Sequence, residues 1–332
     1  MFYFLLLCLP DFIILMILQR FSLLKLLEFS LISSRARQLV RSLNFTSEPI
    51  EVYIGDYEIS IMIYGNQWEM RFSFYKRQYN SNNQIKRKLS PPRFADVIIN
   101  NKRYKLHKEE FEMKDWLDHL LSVFNCSKIK KCKLATNQYD ISSLEKTFDG
   151  VDTVALDFFE FSAEDVKGIW NAFKTCETLD INRFVYKGNE EKIQKILMRN
   201  YTTLRFFENT TLSLDDLLTI NSSHAMFFPA SFTEKVLNRF LKHWIKGSNP
   251  RLESADFVCY LEHNFELNLL LKGIDHKVEV INHLIFDDDE DEDEMEPDTE
   301  HVRIEIKRWD GTVATLAIES VRKFASIWMT VR

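Results

Sequence analysis

From Ser127 onward, short apolar runs recur about 25 residues apart, with a helical pattern between successive runs. The runs fall at 128–134, 151–159, 177–184, 202–207, 224–228 and 251–258. The helical stretches fall at 142–148, 163–173, 190–198, 212–218 and 232–245. One strand and one helix per period describes a solenoid-like array, in which each unit buries its apolar face only against its neighbours. The Leu and Asn positions are degenerate, so the array is expected to be irregular, with a compact α/β sheet as the competing reading.

Residues 50–106 carry a different period. Val52 and Ile54, then Ile59, Ile61 and Ile63, alternate with more polar neighbours, and turns are expected at Gly65-Asn66 and Asn100-Asn101. An amphipathic helix follows at 111–124. Near the C-terminus, Val302, Ile304 and Ile306 alternate, Asp310-Gly311 turns, and Val313, Thr315 and Leu316 return. The net charge of −6 is uneven, because residues 287–300 hold eleven acidic residues and no Lys or Arg. That run reads as a solvated loop, and the rest of the chain is net basic.

The N-terminus poses a burial problem. Residues 9–43 read as three short helices, the first opened by Leu9-Pro10-Asp11, the second capped by Ser22, and the third by Ser33 or Ser34. So small a module cannot hide all of its Leu, Ile and Phe side chains, so the excess must meet the rest of the chain, a membrane or a partner. A secretion signal or membrane anchor is one way to use such a run, and five Asn-x-Ser/Thr triplets would suit it. Against it, no Lys or Arg precedes the apolar stretch, Pro10 and Asp11 interrupt it, and Arg20 and Lys25 arrive before a span of about 20 residues is complete.

Leu9-Pro10, Ile17-Leu18, Leu24, Leu27 and the stretch 31–34, followed by Arg35 and Arg37, resemble the F-box in order and spacing. A second resemblance is more specific. The segment 237–253, LNRFLKHWIKGSNPRLE, is similar to the hallmark of the type-2 F-box-associated domain known from large nematode F-box families. LKGI at 271–274 and IKRWDGTVAT at 306–315 are similar to its later signatures. Cys8 departs from the basic residue common at that position, and the acidic run expands a loop.

Together these give the expected architecture: an α/β chain with a three-helix F-box at 5–43, a β-rich region ending in a helix at 44–124, and an irregular leucine-rich-repeat-like array at 125–332. The resemblance implies docking on a Skp-type adaptor, and through it a cullin, by Leu9, Pro10, Ile14, Ile17, Leu18 and Leu27. The remainder would hold an unknown target protein.

Locally, Leu237, Phe240, Leu241 and Trp244 share one helical face, Gly247 suits the left-handed residue that ends a helix, and Pro250 prevents its resumption. That favours a structural junction over direct target contact. Phosphate loops, GxGxxG, HExxH and GxSxG are absent from the sequence. The eight His are scattered, and the five Cys contain no CxxC pair. No enzyme activity, cofactor, metal, nucleic-acid partner or membrane is expected, and the reduced thiols suit cytoplasm or nucleus.

Overall fold

A chain that alternates short β-branched runs with amphipathic helices builds sheets covered on one face, and the computed structural model shows two such units, Met1–Cys176 and Glu177–Arg332. The structure describes residues 6–75, 86, 88–136, 138–158, 169, 173, 175–181, 190–210, 212–230, 232–280 and 300–332. Nearly all of the acidic run, most of the basic loop at 76–88 and most of the expected helix at 163–173 lie outside them.

The first unit opens with helices α1 (Asp11–Leu18), α2 (Leu23–Ser30) and α3 (Ser34–Arg41). Strands β1 (Ile50–Ile54), β2 (Ile59–Gly65), β3 (Trp68–Phe74), β4 (Ala95–Ile99) and β5 (Lys102–Leu106) then form an antiparallel meander. After α4 (Met113–Val123) come β6 (Lys128–Leu134), α5 (Ile141–Phe148) and β7 (Asp152–Phe158). Strand β6 lies between β1 and β7 and is parallel to both. Strands β6 and β7, the first two of the expected array, therefore belong to the same unit as the β-rich region, and the two units meet between 176 and 177.

Pairing register explains the core. Leu156, Cys132, Val52, Ile61, Phe72 and Val97 lie side by side across six strands, and all are buried. A one-residue slip in any strand would turn its row to solvent, which pins the register. Asn100 and Asn101 form the two-residue loop between β4 and β5, both with positive φ, as this tightest hairpin requires.

The second unit contains β8 (Cys176–Ile181), α6 (Glu190–Leu197), β9 (Thr203–Thr210), α7 (Leu214–Thr219), β10 (His224–Ala230), α8 (Glu234–Ile245) and β11 (Ser254–Tyr260). Strands β8 to β11 are all parallel, in chain order. Residues α9 (Leu267–Leu270), β12 (His276–Val280), β13 (Glu300–Lys307), β14 (Val313–Val321) and β15 (Phe324–Val331) complete it. Strand β15 pairs antiparallel with β11, and β14, β13 and β12 follow outward.

Successive repeats stack one Phe on the next. Phe206 and Phe227 have ring centroids 5.6 Å apart and nearly parallel planes, and Phe227 and Phe257 follow at 5.2 Å. Phe232, and Phe240 of α8, meet this ladder edge-on. Each such side chain contributes roughly 1.5–3 kcal/mol by burial, so the ladder couples neighbouring units.

Candidate functional site

Helix α1, DFIILMIL, is apolar at nearly every position, so its sequence alone does not say which side faces inward. The fold decides. Ile14 and Leu18, one turn apart, are fully buried, together with Leu26, Leu27 and Phe29 of α2 and Ala36, Leu39 and Val40 of α3. Ser33 caps α3 by accepting the Ala36 N–H at 3.1 Å. Arg35 of α3 donates to the Leu7 carbonyl at 2.9 Å and to Asp11 Oδ1 at 2.6 Å, tying the start of α1 to the third helix.

Helix α4 covers much of the remaining apolar excess. It buries Trp116, Leu117 and Leu120, and Ser30 Oγ of α2 lies 2.8 Å from His119 Nε2. Burial is the main cause that lowers the His119 pKa to about 4, with Arg37 and Lys108 adding to it. Asn125, just past α4, accepts from Arg41 Nε at 2.8 Å and returns a bond to the Arg41 carbonyl. What α4 does not cover is the outer side of α1: Phe12 and Met16 are each 64% exposed, and Leu9 is 38% exposed.

In the second unit, three sequence-distant segments meet at α8. The helix ends with Gly247 at φ +108°; the Gly247 N–H reaches the Trp244 carbonyl and the Ser248 N–H the His243 carbonyl, a paired closure that satisfies both orphan groups. Trp309 of the β13–β14 turn donates its backbone N–H to the Ile245 carbonyl, and Arg308 donates through its side chain to the Gly247 carbonyl at 2.9 Å. The Arg308 guanidinium also lies over the Trp244 ring. A β-carbon at position 247 would stand 2.6 Å from Trp309 Nε1, so the indole occupies space that only glycine leaves open. From the other side, Asn238 donates to the carbonyls of Leu270 and Lys272, and Asn249 donates to those of Leu217 and Ile220.

Comparison with known proteins is consistent with both regions. The F-box domain family matches residues 6–48, and the F-box associated family matches residues 192–257. The chain carries an F-box followed by an F-box-associated domain. It is 22% identical over 248 residues to the F-box associated domain-containing protein sdz-33 of Caenorhabditis elegans, covering 74% of this chain and 75% of that protein. No solved structure matches it. The pairing of domains is that of F-box substrate-recognition proteins, a generally non-catalytic family.

The F-box geometry changes how the six expected docking residues are read. Leu9 and Pro10 are exposed and Ile17 is half-buried, so their side chains reach the surface. Ile14, Leu18 and Leu27 are buried inside the helical module. Phe12 and Met16 join Leu9 on the exposed side, three and seven positions after it, a helical spacing that was visible in the sequence. In the F-box-associated domain, the 237–253 hallmark and the two later signatures contact one another as a structural junction. The later two lie beyond the matched range of 192–257. Among the described residues no helix is long and apolar enough to cross a membrane, and no group of three or more potential metal ligands occurs.

Proposed function

We propose that this chain is the target-recruiting subunit of an SCF-type cullin–RING ubiquitin ligase. Its F-box docks on a Skp-type adaptor through Leu9, Pro10, Phe12, Met16 and the edge of Ile17. The observation that supports this most directly is the apolar stripe on α1 that stays exposed after α2, α3 and α4 have covered the rest. Burying three such side chains supplies on the order of 5 kcal/mol before the costs of association. Recruitment then works by proximity: holding a target lysine near a ubiquitin thioester raises its effective concentration without a catalytic residue on this chain. Such a role places the protein in the cytoplasm or nucleus.

Co-expression with a Skp-type adaptor tests the proposal. The wild-type chain is expected to retain adaptor through affinity purification and gel filtration, and Met16→Asp to lose most of it with an unchanged melting profile. Failure of the well-folded wild-type chain to retain adaptor would overturn the reading.

A further inference from the structure

The sheet of the F-box-associated domain has a second face, opposite the phenylalanine ladder, on which several large side chains reach solvent. Tyr260 is 63% exposed, Phe228 47% and Trp328 38%, with Met226 and Phe324 partly exposed beside them. Tyr260 and Phe324 are cross-strand partners with ring centroids 5.4 Å apart. Aromatic residues and Met clustered on an exposed surface are the composition of a protein-binding patch rather than of an ordinary solvated face.

One row of this face carries a charge pattern. Across adjacent strands the register places Asp180, Arg205, Met226, Asp256 and Trp328 in line. Arg205 is already engaged: its Nε and Nη2 donate to the two carboxylate oxygens of Asp180 at 2.7 and 3.2 Å. Met226 separates that ion pair from Asp256 by a strand, about 5 Å on either side. Asp256 is thus half-buried between a thioether and an indole, and no salt bridge or hydrogen bond to its carboxylate occurs among the described residues. His224 acts electrostatically on Asp256, and its Nδ1 lies 2.9 Å from Ser254 Oγ, with Glu253 3.9 Å from its Nε2. Burial raises the Asp256 pKa, the mark of a carboxylate whose loss of water is not yet offset.

A carboxylate beside an exposed indole suits one kind of visitor. Lysine and arginine place an aliphatic stem on apolar surface, their charge near an aromatic face, and their N–H groups on a carboxylate. We propose that this open sheet face holds the target protein through a lysine or arginine side chain lying against Trp328, with its charge on Asp256 and flanking apolar residues on Tyr260 and Phe228. The assignment of the visitor as a ligase target rests on the proposed function above; the surface itself does not.

The test uses the full chain co-purified with a Skp-type adaptor, and a phage-displayed random peptide library as the probe. Enriched peptides are expected to carry Lys or Arg next to aromatic or aliphatic residues. Synthetic versions should bind Asp256→Asn and Trp328→Ala about tenfold or more weakly than wild type, while adaptor retention and melting stay unchanged. Selection repeated on Asp256→Lys should enrich acidic peptides instead. Enrichment without basic residues, no enrichment at all, or equal binding to Asp256→Asn would overturn the proposal. Adaptor retention separates the two readings. Retained adaptor with Asp256-independent binding sinks only the surface, and lost adaptor with Asp256-dependent binding sinks only the F-box role.

Discussion

Helices α1 and α8 are both rich in apolar residues, yet the chain treats them in opposite ways. In α8 the face made by Leu237, Phe240, Leu241 and Trp244 is wholly buried, and the segments at 270–274 and 308–309 close around the helix ends. In α1 only Ile14 and Leu18 are buried, while Phe12 and Met16 are left in solvent. The more distinctive sequence signature therefore marks a piece of internal scaffolding. The looser one marks a helix that leaves apolar side chains in solvent. A motif recurs because its residues cannot be exchanged, and interlocked packing constrains exchange at least as strongly as a partner does.

The sharpest way to break this comparison is to truncate one inward residue of each helix. Trp244→Ala removes a fully buried indole and the ring beneath Arg308, and about 3–5 kcal/mol of stability should go with it. Ile14→Ala should cost the F-box about 2–5 kcal/mol by the same cavity argument. Hydrogen exchange read unit by unit is the suitable measurement. If Trp244→Ala lowers protection across β10 and β11 no more than a surface substitution does, the scaffold reading of α8 is wrong.

His119 gives a pH-dependent version of the comparison, because it seals α4 onto α2. Its pKa is about 4 in the folded state against 6.5 when free, so the folded chain excludes a proton that the unfolded chain accepts. Stability is unaffected above pH 6.5, falls as pH drops from about 6.5 to about 4, and has lost the whole contribution below that. A shift of this size amounts to roughly 3 kcal/mol. Denaturant unfolding of the first unit at pH 7 and pH 4.5 should show the loss, and His119→Gln should flatten most of it. An identical acid limb in the two proteins would assign the effect to other groups.

Much of this fold was readable from the chain itself. Strands β6 to β11, and the helices described between them at 141–148, 190–197, 214–219 and 234–245, follow the roughly 25-residue spacing, because a strand in a parallel array reads as a compact apolar run. Asn100-Asn101 was readable for the same kind of local reason: few other pairs tolerate two positive φ values in succession. Strand β15 was not foreseen. Ala325, Ile327 and Met329 are buried, but Phe324 and Trp328 on the other face are also apolar, so no period of two stands out. Which side chains of α1 reach the surface was only half readable. An eight-residue helix that is apolar all round carries no phase, and its inward side is set by α3, tied through Arg35, which is far from α1 in the sequence.

A smaller effect is expected at Gly247. Alanine there must hold a positive φ and bring its β-carbon against Trp309 Nε1, so about 1–2 kcal/mol should be lost, most of it from the junction of α8 with the β13–β14 turn. Trp309 then has to leave its place over the helix end. A double-mutant cycle makes the point specific: with Trp309→Ala already present, only the backbone part of the Gly247→Ala cost should remain. Equal costs in both backgrounds would show that the indole does not depend on the missing β-carbon.

The smallest change in stability belongs to Phe12, and it separates docking from folding most cleanly. Its ring is mostly in solvent, so Phe12→Ala removes almost no buried contact and should alter unfolding free energy by no more than about 0.5 kcal/mol. The same truncation removes the largest exposed side chain of α1, and adaptor affinity should drop at least about tenfold if that ring is an anchor in the interface. Ile14→Ala should lower adaptor affinity only as far as it unfolds the helices, so mild stabilising conditions that restore its fold should restore its binding. Phe12→Ala should not be rescued in that way. Should Phe12→Ala bind adaptor as wild type does while Ile14→Ala, refolded, does not, the inward and outward faces of α1 would have to exchange roles.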